Sequence, residues 1–243
     1  MITIDQLQNR IICADCLDIL KQLPDKCIDL VCTDCPYHIA HKGGGGRCEP
    51  KWKTAGQLKN YENVKVGKMF NNNDIKFEQW LPEIYRTLKD NAHCYIMING
   101  RNLAELQKQA EKVGFKFQNL LVWKKNTATP NKFYMQCCEF ILMLRKGNER
   151  WINNMGQKNL LEVVNQTGNK PHPTAKPIEL MEILISNSTN ESDIVLEPFA
   201  GAGATCIAAK NLKRRFIGIE IDEEYAKIAN ERLEQTQRQQ TLF

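Results

Sequence analysis

Ile194-Val195-Leu196-Glu197-Pro198-Phe199-Ala200-Gly201-Ala202-Gly203-Ala204-Thr205 is the stretch on which the fold turns. A short β-branched run enters, a Gly-x-Gly turn interrupts it, and a helix-forming segment begins at Ala204. Glycines at such a turn let the backbone approach a ligand closely, and the N-terminus of the next helix favours a carboxylate or phosphate. Arg214-Arg215-Phe216-Ile217-Gly218-Ile219-Glu220 follows as another strand ending on an acid. A carboxylate placed there typically accepts both hydroxyls of a ribose. Alone, the Gly-x-Gly turn is weak evidence, because a nicotinamide-binding fold has the same outline.

Working outward, strand patterns cover Arg10–Ala14, Ile28–Thr33, Ala92–Ile98, Phe117–Lys124, Cys138–Arg145, Asp193–Leu196 and Arg215–Ile219. Helical patterns alternate with them over Leu17–Leu23, Phe77–Leu88, Leu103–Val113, Ile178–Ser186, Ala204–Leu212 and Glu223–Leu233. Pro177 opens the fourth of these at a first-turn position. Such alternation predicts an α/β fold with a mostly parallel sheet covered on both faces. Tyr95, Trp123 and Phe140 are assigned to the sheet core. Residues 1–243 are expected to form a single domain with two interruptions, a basic loop over 38–76 and a polar insertion over 147–171 with few apolar anchors.

The run Cys27-Ile28-Asp29-Leu30-Val31-Cys32-Thr33 leads directly into Asp34-Cys35-Pro36-Tyr37. Ligands of open α/β sheets bind beyond the carboxyl ends of the strands, so this tetrapeptide should face a reaction site. It supplies an anionic acceptor, a carbonyl held extended by the proline that follows it, and a flat aromatic ring. That set suits an amino group on a planar heterocycle. His172-Pro173-Thr174-Ala175-Lys176-Pro177 presents a hydroxyl and an ammonium ahead of a helix.

Composition bounds the alternatives. The apolar fraction of 42% and charged fraction of 25% are ordinary for a globular chain. No apolar run approaches the roughly 20 residues of a membrane helix, and the start carries no secretory pattern, so the expectation is cytoplasmic, with no membrane partner. Cys13-x-x-Cys16 and Cys32-x-x-Cys35 have the spacing of a four-thiolate zinc site. Apolar residues lead into both pairs where zinc sites usually have turns, which favours pairs straddling the ends of two adjacent strands. No metal is expected. The net charge of +5 is concentrated: Lys42, Arg47, Lys51, Lys53, Lys59, Lys65, Lys68 and Lys76 face only Glu49, Glu62 and Asp74 in the segment after the tetrapeptide. Gly43 to Gly46 and the interleaved Trp52 and Tyr61 suit a mobile loop that orders on a polyanion.

Together these motifs resemble the beta group of amino-methylating DNA methyltransferases, a circularly permuted family whose catalytic motif precedes its cofactor loop. Asp34-Cys35-Pro36-Tyr37 is similar to the family's Asp-Pro-Pro-Tyr, and His172 to Pro177 resembles its His-Pro-Thr-x-Lys-Pro turn. Glu197-Pro198-Phe199 with Gly201 and Gly203 resembles its Asp-Pro-Phe-x-Gly-x-Gly loop. Cys13-Ala14-Asp15-Cys16-Leu17 is similar to its Gly-Asp-x-Leu strand end. Two departures stand out, Cys35 for the first proline and Glu197 for aspartate.

The resemblance implies a Rossmann-like S-adenosylmethionine-dependent methyltransferase acting on the N6 amino group of adenine in double-stranded DNA, with cytosine N4 as the alternative. Members of the second kind usually carry serine where Asp34 stands. It implies catalytic roles for Asp34, Cys35, Pro36 and Tyr37, the ring of Tyr37 stacking on a flipped base. Cofactor contacts fall to Asp15, Thr174, Lys176, Glu197, Phe199, Gly201, Ala202, Gly203 and Glu220, with Lys176 near the cofactor's carboxylate. DNA contacts are expected from Lys42, Arg47, Lys51, Trp52 and Lys53. The target-recognition region is short, only residues 147–171, which shifts the expected reading of DNA sequence toward the basic loop after Tyr37. A nicotinamide-dependent oxidoreductase would need a substrate domain after Glu220, where only a helix and a short tail follow. A non-catalytic binder is opposed by the intact Asp34, Pro36 and Tyr37. Gln239-Gln240-Thr241-Leu242-Phe243 resembles the short peptide by which bacterial DNA enzymes hold the sliding clamp, and a plain frayed end stays open beside it. The oligomeric state, monomer or homodimer, is left open as well.

Overall fold

A computed structural model describes residues 4–36, 75–129, 134–165 and 176–241. In chain order the elements are α1 (Ile4–Leu7), β1 (Arg10–Cys13), α2 (Cys16–Leu20), β2 (Ile28–Asp34), α3 (Phe77–Thr87), β3 (Leu88–Ile98), α4 (Leu103–Val113) and β4 (Lys116–Thr129). They continue with β5 (Gln136–Arg145), β6 (Leu160–Glu162), α5 (Ile178–Ser188), β7 (Ile194–Glu197), α6 (Ala204–Asn211), β8 (Arg215–Glu220) and α7 (Glu223–Thr241). The strands form one eight-stranded sheet in the order β1-β8-β7-β2-β3-β5-β4-β6. From β1 to β3 the neighbours are parallel; β5 is antiparallel to both β3 and β4, and β6 is parallel to β4.

Strand alternation explains the two-sided core. Val31, Cys94, Ile96, Leu196 and Ile217 join the cluster under α2, α3 and α4, while Leu30, Cys32, Tyr95, Met97, Val195 and Phe216 join the one under α5, α6 and α7. Both layers are dense: Trp80 of α3 and Trp123 of β4 are buried, and truncating either to alanine would cost about 3–5 kcal/mol. Phe140 is half-buried at the margin. Helix ends that bury their carbonyls find cationic donors. Lys146 Nζ caps α3 at the carbonyls of Tyr85 and Leu88, 2.7 Å from each, and Arg86 reaches the carbonyls of Leu20, the last residue of α2, and Leu23 just beyond it.

Topology places the site. From β7 the chain proceeds through α6 to β8 on one side, and from β2 through α3 to β3 on the other. The β7/β2 boundary is therefore a switch point, and the crevice beyond its carboxyl ends is where such sheets take ligands.

Several expectations need correction. β1 and β2 are not adjacent, since β8 and β7 lie between them, so the two cysteine pairs do not straddle neighbouring strand ends. Cys16, Cys32 and Cys35 are buried, Cys13 is exposed, and no group of His, Cys, Asp or Glu among the described residues could hold a metal. The 147–171 segment is better anchored than its polarity suggested. Its residues 160–162 add β6 to the sheet edge, Leu161 and Val163 are buried, and the Trp123 indole N–H donates to the Val163 carbonyl at 2.9 Å. Arg150 donates to the Ser188 carbonyl, and Asn153 Nδ2 to those of Ser186 and Thr189, fastening the segment to the end of α5. Pro177 is the N-cap of α5 rather than its first residue. Finally, α7 runs on to Thr241, because Glu, Gln and Arg after Leu233 are good helix formers with no glycine or proline to stop them.

Candidate active site

Four strand ends surround the crevice. Cys13 of β1 is in register with Glu220 of β8, and the Ala14 N–H donates to the Glu220 carbonyl at 3.0 Å. Asp15 then caps α2, its carboxylate accepting the Leu17 N–H at 2.8 Å while remaining exposed. β8 pairs with β7, and β7 with β2, which ends on Asp34.

The loop after β7 is held from below and from the side. Gly201 (φ +50°) and Gly203 (φ +80°) take left-handed backbone conformations that side chains rarely adopt. A Cβ on Gly203 would lie 3.0 Å from Ile11 Cδ1 and 3.1 Å from Ala229 Cβ, so that position seats α6 against the sheet and α7. A Cβ on Gly201 would meet nothing within 4 Å. That open side is what a ligand passing close to the main chain requires. Ala202 is buried, and its carbonyl accepts from the Arg232 guanidinium. Phe199 is half-buried, edge-on to Trp80 at 5.3 Å between ring centroids.

Glu220 shapes this loop as well as facing it. Its Oε2 accepts the Gly201 N–H at 2.6 Å and its Oε1 the Asp222 N–H at 2.9 Å, which fixes the plane of the carboxylate. Burial raises its pKa against the pull of those N–H donors. Glu197, expected among the cofactor contacts, lies behind the loop and is 2% exposed. Its oxygens accept from the Thr33 hydroxyl, the Thr205 hydroxyl (2.8 Å) and the Phe199 N–H (3.1 Å). The extra methylene relative to aspartate lets it bridge β2, its own turn and α6 at once. Burial, with a smaller push from the Asp34 charge, raises its carboxyl to about 8 despite those donors.

Asp34 ends β2 on the same sheet face as Leu30 and Cys32. Lys176, just ahead of α5, reaches its Oδ2 at 2.7 Å and Glu139 Oε2 at 3.3 Å. The expectation put Lys176 at the carboxylate of a cofactor; in the structure it stands on Asp34. Burial raises the Asp34 carboxyl, the Lys176 ammonium opposes this, and Glu139 adds to it. The Cys35 side chain is 2% exposed and turned into the core, its thiol 3.7 Å from the Met97 carbonyl, and burial pushes that thiol well up. What Cys35 offers the crevice is therefore its main chain. Pro36 is half-buried beside it.

Tyr37, Thr174 and the expected DNA-contacting Lys42, Arg47, Lys51, Trp52 and Lys53 lie outside the described residues, as do Leu242 and Phe243. Of the basic loop only Ile75 and Lys76 are described, and the Lys76 N–H donates to Gln79 Oε1 at 2.8 Å at the start of α3. Sequence reasoning missed Glu139, Lys125, Thr33 and Thr205. For Glu139 there was a signal: it shares a face with Ile141 and Met143 in an otherwise apolar alternation, where a lone carboxylate is out of place.

A mostly parallel sheet with a glycine turn and the acid Glu220 on one side of its switch point, and Asp34 on the other, has the outline of a nucleoside-cofactor enzyme of the α/β class. The chain belongs to the DNA methylase family of N6/N4 methyltransferases, whose model matches residues 28–231. Type II methyltransferase M.HpaI of Haemophilus parainfluenzae is 30% identical over 253 residues, spanning 94% of this chain and 75% of that protein. Type II methyltransferase M2.DpnII of Streptococcus pneumoniae is 30% identical over 244 residues, spanning 91% and 88%. The crystal structure of the M1.HpyAVI–SAM complex superposes with a TM-score of 0.67 at 28% identity, covering 92% of this chain and 98% of that one.

Proposed function

We propose that this chain transfers the methyl group of S-adenosylmethionine to the exocyclic N6 amino group of adenine at specific sites in double-stranded DNA. The observation that carries the proposal is the position of Asp34, across the β7/β2 switch point from the Gly201–Gly203 turn. The residues on the other side fit the cofactor: an open approach at Gly201, a fixed carboxylate at Glu220, and the exposed Asp15 at the end of β1. The solved complex of M1.HpyAVI with the same cofactor supports this reading. Bound there, the cofactor supplies an electrophilic sulfonium methyl.

The difficulty in this reaction is that an exocyclic amino nitrogen is nearly planar, its lone pair delocalised into the ring. Asp34 and the Cys35 carbonyl accept its two N–H bonds, which pulls the nitrogen towards tetrahedral and frees the lone pair for attack. Asp34 must be ionised to do so, and Lys176 favours that state where burial opposes it. Tyr37 stacks on the base once it has left the duplex; stacking of about 1–3 kcal/mol offsets part of the unstacking cost. Positioning and electrostatics carry the reaction without a covalent enzyme intermediate. Lys42, Arg47, Lys51, Trp52 and Lys53 provide the DNA contacts, residues 147–171 contribute to site recognition, and Gln239 to Phe243 dock on a sliding clamp.

Adenine is preferred to cytosine because Asp34 supplies a full anionic acceptor where serine is usual in cytosine-directed members. The test is to methylate mixed-sequence duplex DNA with methyl-labelled cofactor, digest it and separate the nucleosides. Label in N6-methyldeoxyadenosine is expected; label in N4-methyldeoxycytidine would overturn the assignment.

A further inference from the structure

Four charged side chains, three from separate strands and one from the segment ahead of α5, meet on the α5 side of the sheet. Lys125 of β4 reaches Glu139 Oε1 at 2.8 Å, Glu139 of β5 offers its other oxygen to Lys176 at 3.3 Å, and Lys176 reaches Asp34 Oδ2 at 2.7 Å. The signs alternate along the row, and each Glu139 oxygen serves a different ammonium. Glu139 follows the face of Ile141 and Met143, and Lys125 that of Trp123, all three of which are buried in the core beneath α5. Side-chain exposures of 15% for Lys125, 28% for Glu139, 10% for Lys176 and 26% for Asp34 leave the row only partly screened by water.

Charges in such a place are costly unless each is paired, and packing alone would be served by apolar residues. The row ends on the one carboxylate that the chemistry needs. Its contact with Asp34 uses Oδ2, so the geometry of the pair decides how the rest of the carboxylate is presented. Neither Lys125 nor Glu139 belongs to the motifs around the tetrapeptide or the glycine turn.

We propose that Glu139 and Lys125 are positioning residues for methyl transfer: Glu139, clamped by Lys125, holds the Lys176 ammonium against one edge of Asp34 and so aims the carboxylate at the amino group of the target base. This rests on the reading of Asp34 as the acceptor of that amino group. The charged groups that face Asp34 are Lys176 ahead of α5, Glu139 on β5 and, farther off, Glu197 at the end of β7; Lys125 lies one step beyond Glu139. Removing the Glu139 charge takes away a neighbour that raises the Asp34 carboxyl and a carboxylate that shares the Lys176 ammonium with it. Both effects lower it. Removing the Lys125 charge takes away a cation and turns Glu139 fully onto Lys176. Both effects raise it.

The test measures single-turnover methyl transfer by the full-length protein at saturating cofactor and DNA, over roughly pH 5 to 9, for the parent, Glu139→Gln, Lys125→Met, Lys125→Arg and Asp34→Asn. Glu139→Gln and Lys125→Met are each expected to slow transfer about 10- to 100-fold, the range that misplacement of a reacting group produces. The acid limb of the profile should move to lower pH in Glu139→Gln and to higher pH in Lys125→Met, while Lys125→Arg stays near the parent. Loosened packing would admit water in both variants and move both limbs the same way, and that result would overturn the proposal, as would parent-like rates in both. Asp34→Asn separates the two layers of the argument. Parent-like activity in that variant defeats the reading of Asp34 itself; an inactive Asp34→Asn beside a parent-like Glu139→Gln defeats the positioning role alone.

Discussion

Alanine at Gly201 and at Gly203 separates the proposed cofactor seat from the fold's stability. At Gly201, with φ +50° and nothing within 4 Å of a new Cβ, the folded-state cost is the left-handed strain alone, about 1–2 kcal/mol. Part of it is offset by the roughly 0.4–1 kcal/mol gained from a less flexible unfolded chain. Gly203 carries the same strain at φ +80°, and its Cβ would also press on Ile11 at 3.0 Å and Ala229 at 3.1 Å. Overpacking adds about 1–3 kcal/mol there. Thermal unfolding should therefore fall by only a few degrees in Gly201→Ala and by about 5–15 °C in Gly203→Ala, taking about 2–4 °C per kcal/mol for a chain of this size. Cofactor affinity should show the reverse emphasis. The methyl group of Gly201→Ala occupies the open approach and should weaken S-adenosylmethionine binding at least tenfold in calorimetry, about 1.4 kcal/mol. Parent-like affinity in Gly201→Ala would refute the placement of the cofactor against this turn. Equal destabilisation by the two substitutions would refute the assignment of Gly203 to packing.

Three further outcomes follow from buried titratable groups and from the loop's bracing. Because the Glu197 carboxyl is raised to about 8, its stabilising contribution is complete below its ordinary value of 4.5 and is lost as pH climbs through 8. Unfolding midpoints should fall over that window in the parent and much less in Glu197→Gln, whose amide can still engage Thr33, Thr205 and the Phe199 N–H. His93 is buried between Ser188 and the Arg150 carbonyl, and burial lowers it to about 4, so its contribution is complete above 6.5 and lost as pH falls through 4. A His93→Gln variant should show a flatter melting profile between those values. Glu220→Ala leaves the Gly201 N–H without its acceptor and should cut cofactor affinity more than tenfold by titration calorimetry, about 1.4 kcal/mol or more.

What could be read ahead of the structure was local chemistry. The tetrapeptide at Asp34, the turn at Gly201 and Gly203, and the acid at Glu220 each declare themselves within a few residues, because strand, turn and side chain are contiguous. Short apolar runs likewise located seven of the eight strands among the described residues. The short β6 escaped because three residues carry no period, and its hold on the fold comes from Trp123 and from α5, far away in sequence. Glu197 was read as a cofactor contact because it sits in the motif; its burial behind the loop depends on Thr33 and Thr205, which only the pairing of β7 with β2 and the docking of α6 bring near. The same limit hid the charge row. Lys125, Glu139 and Lys176 meet Asp34 only through the order β2-β3-β5-β4, and no local pattern encodes that order.

The central claim is that the Asp34 carboxylate accepts the amino group of the target adenine while the cofactor is seated independently across the switch point. Asp34→Ala tests it in one measurement: radiolabel transferred from S-adenosylmethionine to duplex DNA in a single turnover, at a cofactor concentration shown by calorimetry to saturate both proteins. The account predicts parent-like cofactor binding with no detectable label in adenine. Methylation by Asp34→Ala at a rate near the parent's would contradict it.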